Sequence, residues 1–268
     1  MKTLKTAALI CLTSISFGGS INAFSQGFPV LAEQPQADGT TPPRDNWGRA
    51  DLNGVWNKAI HMNIAAPVEP LPFTPEGLTA FNEVANLIDN TSRCIFPGVP
   101  RVNNSPYPFQ IMVMEDKVIF HYEYMHNTRV IYTDGRGHRD TWSPSLMGDS
   151  IGRWEGDTLV IDSVNFTDRT WLDDHGNRHS DELHVIERWT RVSANEIWYQ
   201  ATIDDPKFYT EEWTTGFMIA KAPDDWEIME YACTDNNRDQ YDGLLQPGAL
   251  DGSGRDGSAL ATPPPERR

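Results

Sequence analysis

Through most of the chain, apolar residues alternate with polar ones at the two-residue period of a half-buried strand. Phe109–Met114 and Val118–Tyr124 flank Glu115-Asp116-Lys117, a hairpin-like turn, and Thr128–Thr133 stops at Asp134-Gly135. Arg153-Trp154 leads through Glu155-Gly156-Asp157 into Thr158–Val164, and Leu183–Arg191, Glu196–Ile203, Glu211–Ala220 and Trp226–Ala232 follow. These runs are rich in Val, Ile, Tyr, Trp and Thr and are punctuated by Gly, Asp, Asn or Pro. One segment has a helical period. Thr74 suits an N-cap and Pro75 the first helical position; Leu78, Phe81, Ala85 and Ile88 fall on one face with Val84 beside them, and Asp89-Asn90 ends the run. There is no internal repeat and no βαβ alternation. The pattern predicts a mainly β fold: an antiparallel, lipocalin-like β-barrel or a sandwich of about eight or nine strands, with one N-terminal helix.

Two strands break simple alternation. Val118, Phe120, Tyr122 and Tyr124 oppose Ile119, His121 and Glu123, while Leu183, Val185, Glu187 and Trp189 oppose His184, Ile186, Arg188 and Thr190. Neither has one purely apolar and one purely polar face. A barrel with a partly polar, ligand-binding interior accounts for this. So do polar groups that simply face solvent.

The ends read differently. Lys2 and Lys5, the apolar run Ala7–Phe17 and the small residues of Ile21-Asn22-Ala23 make residues 1–23 a cleavable secretory signal, too short for a membrane span. Residues 24–50 and 246–268, rich in polar residues with Pro and Gly, read as an extended or disordered leader and a disordered tail around a single β domain at 51–245. The expected location is periplasmic or secreted. A net charge of −16, more negative still once Lys2 and Lys5 are removed, argues against nucleic acid and anionic membrane surfaces as partners. After cleavage only Cys94 and Cys233 remain. In an oxidising compartment they most simply form one disulfide tying the start of the domain to its last strand; two buried free thiols are the alternative.

Familiar catalytic signatures are absent: there is no Gly-x-Ser-x-Gly, His-Glu-x-x-His, phosphate loop or dinucleotide fingerprint. Two polar clusters remain. Tyr122–Arg129 gathers Tyr124, His126, Glu123 and Arg129 around one hairpin end, where Tyr and His can exchange protons and Arg can hold an anion. The same groups would equally satisfy each other as a structural network. Asp168–Asp181 is a long polar connection carrying Trp171, Asp174, His179 and Ser180, in which Asp174 and His179 make a base and its orienter. Its plainer reading is a solvated loop with Asp and Asn shaping turns. His175-x-x-x-His179 with Asp173 has metal-like spacing, but Gly176 and Asn177 argue against the helix that would align the rings, so no cofactor is expected. Several of the nine tryptophans would line a pocket or, more simply, fill the core.

The chain also carries a resemblance. Asp51–Trp56, Arg93-Cys94 with Pro97–Arg101, Pro106–Phe109, Tyr122-Glu123-Tyr124 with Arg129, Asp134–His138, Gly152–Val160, Thr170–Asp173, His179–Asp181 and Asp204–Pro206 resemble the motifs of a large family of exported bacterial proteins of unassigned activity. The likeness spans about residues 50–235, and the Trp154-Glu155-Gly156-Asp157-Thr158-Leu159-Val160 run is its most specific part. It implies a shared β-rich fold and export, and transfers no mechanism. At the position after His138, where the pattern usually has proline, this chain has Arg139.

The expected function is a periplasmic acid/base enzyme, a lyase, isomerase or hydrolase, acting on a small organic or sugar-derived molecule in a barrel pocket. His126, His179, Tyr124 and Asp174 would exchange protons; Glu123, Arg129, Trp171 and Arg188 would bind substrate. The rival readings are a non-catalytic barrel carrying an apolar or glycan ligand, and a structural envelope protein.

Overall fold

The computed structural model describes residues 39–58 and 71–233. The signal, most of the leader and the tail read from the sequence lie outside them. Nine strands close into a barrel in chain order: β1 (Gly54–Lys58), β2 (Phe109–Val113), β3 (Lys117–Tyr122), β4 (Asn127–Tyr132), β5 (Asp149–Glu155), β6 (Thr158–Val164), β7 (His184–Arg191), β8 (Glu196–Asp204) and β9 (Trp213–Lys221). Every neighbouring pair is antiparallel except β4 and β5, which run parallel through Tyr132 opposite Ile151. The connection 133–148 therefore returns from one end of the barrel to the other along its outside wall. Among the described residues no helix is long and apolar enough to cross a membrane.

The inner face follows the alternation. In β3, Val118, Phe120 and Tyr122 are buried, as are Val185, Glu187 and Trp189 in β7. The lumen is packed rather than open. Trp189 lies 4.6 Å from Tyr199 and 4.8 Å from Phe120, centroid to centroid, with Phe109 at 5.8 Å. Among these rings sits a polar network. Asn103 donates to Glu187 at 2.8 Å and to Tyr199 at 3.0 Å, and it accepts from Tyr122 at 2.8 Å. Arg129 donates to Ser163 at 2.8 Å and Ser150 at 3.0 Å and reaches Glu187. The partly polar interior is real, and most of these groups pair with one another, while Arg129 Nη1 is buried without a partner.

Several local expectations are corrected. The helix α1 runs Pro75–Glu83, capped by Thr74 as expected, and gives way to a 3-10 turn at Val84–Asn86 instead of continuing to Ile88. Its buried face is Gly77, Ala80 and Val84, while Leu78 is exposed. Close packing explains the choice: a Cβ at Gly77 would sit 2.1 Å from the Phe208 carbonyl oxygen, so the backbone lies directly on the 205–209 turn. Trp226–Ala232 is not a strand. β1 and most of β5 are strands that the alternation did not mark. Residues 44–50, part of the leader by composition, pack on the β5–β6 turn. Arg44 pairs with Asp157, which also accepts from the Ala50 amide at 3.2 Å, and Ala50 is fully buried.

Candidate active site

The end of the barrel where β3, β6 and β8 finish is covered by residues 71–108, by the 165–183 connection and by the chain after β9. Two cavities open there. The smaller, about 270 Å³, is lined by Arg101, Asn104, Tyr107, Tyr124, Asp174 and Tyr231, among others. It therefore brings together Tyr124 and Asp174, one from each cluster of the sequence analysis.

Three phenols form one wall. Tyr107 stacks on Tyr124 with centroids 5.0 Å apart, and Tyr231 meets both edge-on at 5.1 and 5.2 Å. Burial pushes the Tyr124 phenol above its ordinary value, against the pull of the Arg101 charge. Burial, then the neighbouring tyrosines, pushes Tyr231 up as well. At neutral pH these groups are hydrogen-bond donors, not phenolates. Arg101 is fixed by Asp89, which accepts from Nη1 at 3.1 Å and Nη2 at 2.5 Å. Asn104 Oδ1 is sealed from solvent without a donor. The Asp174 side chain, also in the lining, is two-thirds exposed and lies 3.0 Å from His175 Nδ1.

Local structure explains these positions. Met125 and His126 both have left-handed backbone (φ 56° and 46°), which turns the chain sharply after β3 and carries Tyr124 out over the barrel end. Asp173 accepts from the amides of His175 (3.0 Å) and Asn177 (3.1 Å), so it shapes the turn that lifts Asp174. Tyr231 arrives from the C-terminal side. Glu123 accepts from the Met229 amide at 2.9 Å, His126 Nε2 accepts from the Tyr231 amide at 2.8 Å, and Cys233 is joined to Cys94. The disulfide thus ties residue 94 to the segment after the last strand.

The remaining expected site residues are dispersed. Glu123 and His126 hold the 229–231 segment rather than line the cavity. Arg129 is inside the barrel with Glu187. His179 is buried; its Nε2 meets the Thr170 hydroxyl at 2.7 Å and its Nδ1 the Ser180 carbonyl at 2.9 Å, and burial depresses its pKa so that it stays neutral. His175, His179 and Asp173 do not converge, and among the described residues no group of three His, Cys, Asp or Glu is placed to hold a metal. Trp171 lines the second cavity. Arg188 is on the outer wall toward the opposite end, 2.9 Å from Glu155.

Tyr107, Arg101 and Tyr231 were not singled out by their chemistry. The first two fall in motifs that carry the family resemblance; Tyr231 had no signal beyond its nearness to Cys233. A further cluster went unnoticed on the outer wall. His138 lies between Asp149 (3.2 Å) and Asp162 (3.1 Å), His184 is 2.9 Å from the same Asp162 oxygen, and Arg139 pairs with Asp149 at 2.5 Å. It fastens the 133–148 connection to the barrel. No family model matches the chain and no curated protein matches it, so a functional reading rests on the geometry of the site.

Proposed function

We propose that the protein is an exported acid/base enzyme, a lyase or isomerase that removes a proton next to a carbonyl group in a small, hydroxylated organic or sugar-derived substrate. The single observation behind this is that neutral tyrosines, an arginine and an open carboxylate line one cavity together. The phenols of Tyr124 and Tyr231 and the Arg101 guanidinium would polarise the carbonyl and stabilise the enolate oxygen as charge develops. Asp174 would take the proton, with His175 beside it. The pairing of a carboxylate base with a tyrosine hydrogen-bond donor parallels a known solution to proton removal next to a carbonyl. The Cys94–Cys233 disulfide and the N-terminal signal support the location.

The test is incorporation of deuterium at the carbon next to the carbonyl, followed by NMR across a panel of hydroxy-keto acids and keto sugars. Exchange by the native protein, lowered about 10²–10⁴-fold in Asp174→Asn and in Tyr124→Phe, is the expected result. Binding of a panel member without exchange would favour the carrier-barrel reading. Undiminished exchange in both variants would remove these residues from the chemistry.

A further inference from the structure

The second cavity, about 430 Å³, is lined by Arg93, Arg169, Arg178, Trp171, Asp168 and the 86–90 segment. Its arginines differ from the others in the described residues. Eight arginines face a carboxylate at ion-pair distance, and Arg191 is held by backbone carbonyls. Among the described residues, Arg93, Arg169 and Arg178 alone have neither kind of partner, and all three line one cleft. In addition, Arg178 Nε is sealed from solvent with no acceptor. A buried donor without a partner is costly, and gathering three like charges adds repulsion. In a chain of net charge −16 such a local excess of cation is a specific feature. A bound oxyanion would relieve both costs.

We propose that this cleft binds a monosaccharide-sized organic anion, with its carboxylate, sulfate or phosphate group clamped by Arg93, Arg169 and Arg178. Guanidinium forks match the oxygens of all three groups, which is why the shared oxyanion is the recognised feature. Leu87, Ile88 and the edge of Trp171 supply an apolar side for the ligand's carbon skeleton. Asp168 lines the same cleft and gives an acceptor for a hydroxyl of an organic ligand. The volume falls within the range of ordinary small-molecule sites. The inference does not rest on the tyrosine cavity.

The experiment is titration calorimetry of the full chain with glucuronate, glucose 6-sulfate, glucose 6-phosphate, uncharged glucose and inorganic sulfate. Arg93 and Arg169 are exposed, so the double variant R93Q/R169Q should fold; its melting point is measured alongside. The expected result is binding of at least one anionic sugar about ten-fold or more tighter than glucose, weakened about ten-fold or more in the double variant at unchanged melting point. The arm that binds tells carboxylate from sulfate and phosphate. The same binding in Asp174→Asn and Tyr124→Phe separates this site from the tyrosine cavity. Equal affinity for inorganic sulfate would overturn the organic ligand. No anionic sugar binding, or equal binding by the double variant, would overturn the site.

Discussion

Arg129 and Glu187 meet at 2.5 Å inside the barrel, both shielded from solvent, with Asn103 on the other Glu187 oxygen at 2.8 Å. Burial alone would lower the Arg129 pKa, but the Glu187 carboxylate more than offsets it, and Arg129 is held above its ordinary value. The Arg129 charge persists inside the barrel because the Glu187 side chain lies against it. Glu187→Gln leaves the guanidinium uncompensated and should destabilise the protein by about 3–5 kcal/mol. Replacing both, as Arg129→Met with Glu187→Leu, should cost less than either single change. Denaturant midpoints of the three variants check this; a double variant as unstable as the sum would contradict it.

The outer-wall cluster makes an acid-side prediction. Asp149 is buried, which alone would raise its pKa, but hydrogen bonds from the Arg139 backbone and guanidinium and from His138 together hold it below its ordinary 3.8. A carboxyl whose folded value is depressed contributes stability fully present above its unfolded value and lost as pH falls through the folded one. Below about pH 4 the 133–148 connection should therefore loosen from the barrel first. Asp149→Asn should be less stable at pH 7 and should lose less between pH 5 and pH 2 than the native chain. Those intervals are set by the carboxylate range, and thermal melts across them decide the matter. Parallel acid profiles for the two proteins would rule Asp149 out as the sensor.

Gly176 sits at φ +88°, where an added Cβ would lie 2.4 Å from Val84 Cγ1. Gly176→Ala combines left-handed strain with a clash and should cost about 1–3 kcal/mol. The cost falls on the Asp173–Asn177 turn that presents Asp174. Proton exchange should consequently weaken more than the melting point suggests. Unchanged stability and exchange would mean that the turn and the 84–86 segment adjust freely.

How much of this was readable beforehand differs from element to element. β6 matches its predicted span, and β7 differs by a residue, because each is a β-branched run closed by turn residues at both ends. β5 contains Ser150, Gly152 and Arg153, a poor strand composition. Gly152 is there because Ile131 packs within 2.8 Å of where a Cβ would be, a tertiary cause invisible in the run itself. Trp226–Ala232 alternates like a strand but lies beside no free edge, since β9 is already paired to β1 and β8. Apart from the Trp226 amide, which donates to the Pro223 carbonyl at 2.9 Å, its described backbone partners are the side chains of Glu123 and His126. The same limit applies to the site. Tyr124 and Asp174 stood out by residue type, yet the Tyr231 that completes the aromatic wall comes from far along the chain, and only the closed barrel and the disulfide bring it there.

That dependence can be tested directly. The Cys94–Cys233 bond closes a separation of 139 residues, for which the chain-entropy account gives up to about 5 kcal/mol. Its second effect is local. Tyr231 is held over Tyr124 by the disulfide together with Glu123 and His126, and desolvation is the main reason the Tyr124 phenol is raised above 10.0. With Cys94→Ser and Cys233→Ser the 229–233 segment loses its covalent tie and keeps its hydrogen bonds to Glu123 and His126 and the edge contacts of Tyr231. The variant should melt earlier, and in addition one tyrosine should titrate closer to the ordinary value in ultraviolet difference spectra. Tyr231→Ala separates the two effects, since it exposes Tyr124 while leaving the covalent loop closed: its titration should shift with little of the stability loss. A disulfide-free protein that melts earlier but keeps every phenol where it was would show that the bond acts on the unfolded chain alone, and that Glu123 and His126 suffice to build the tyrosine wall.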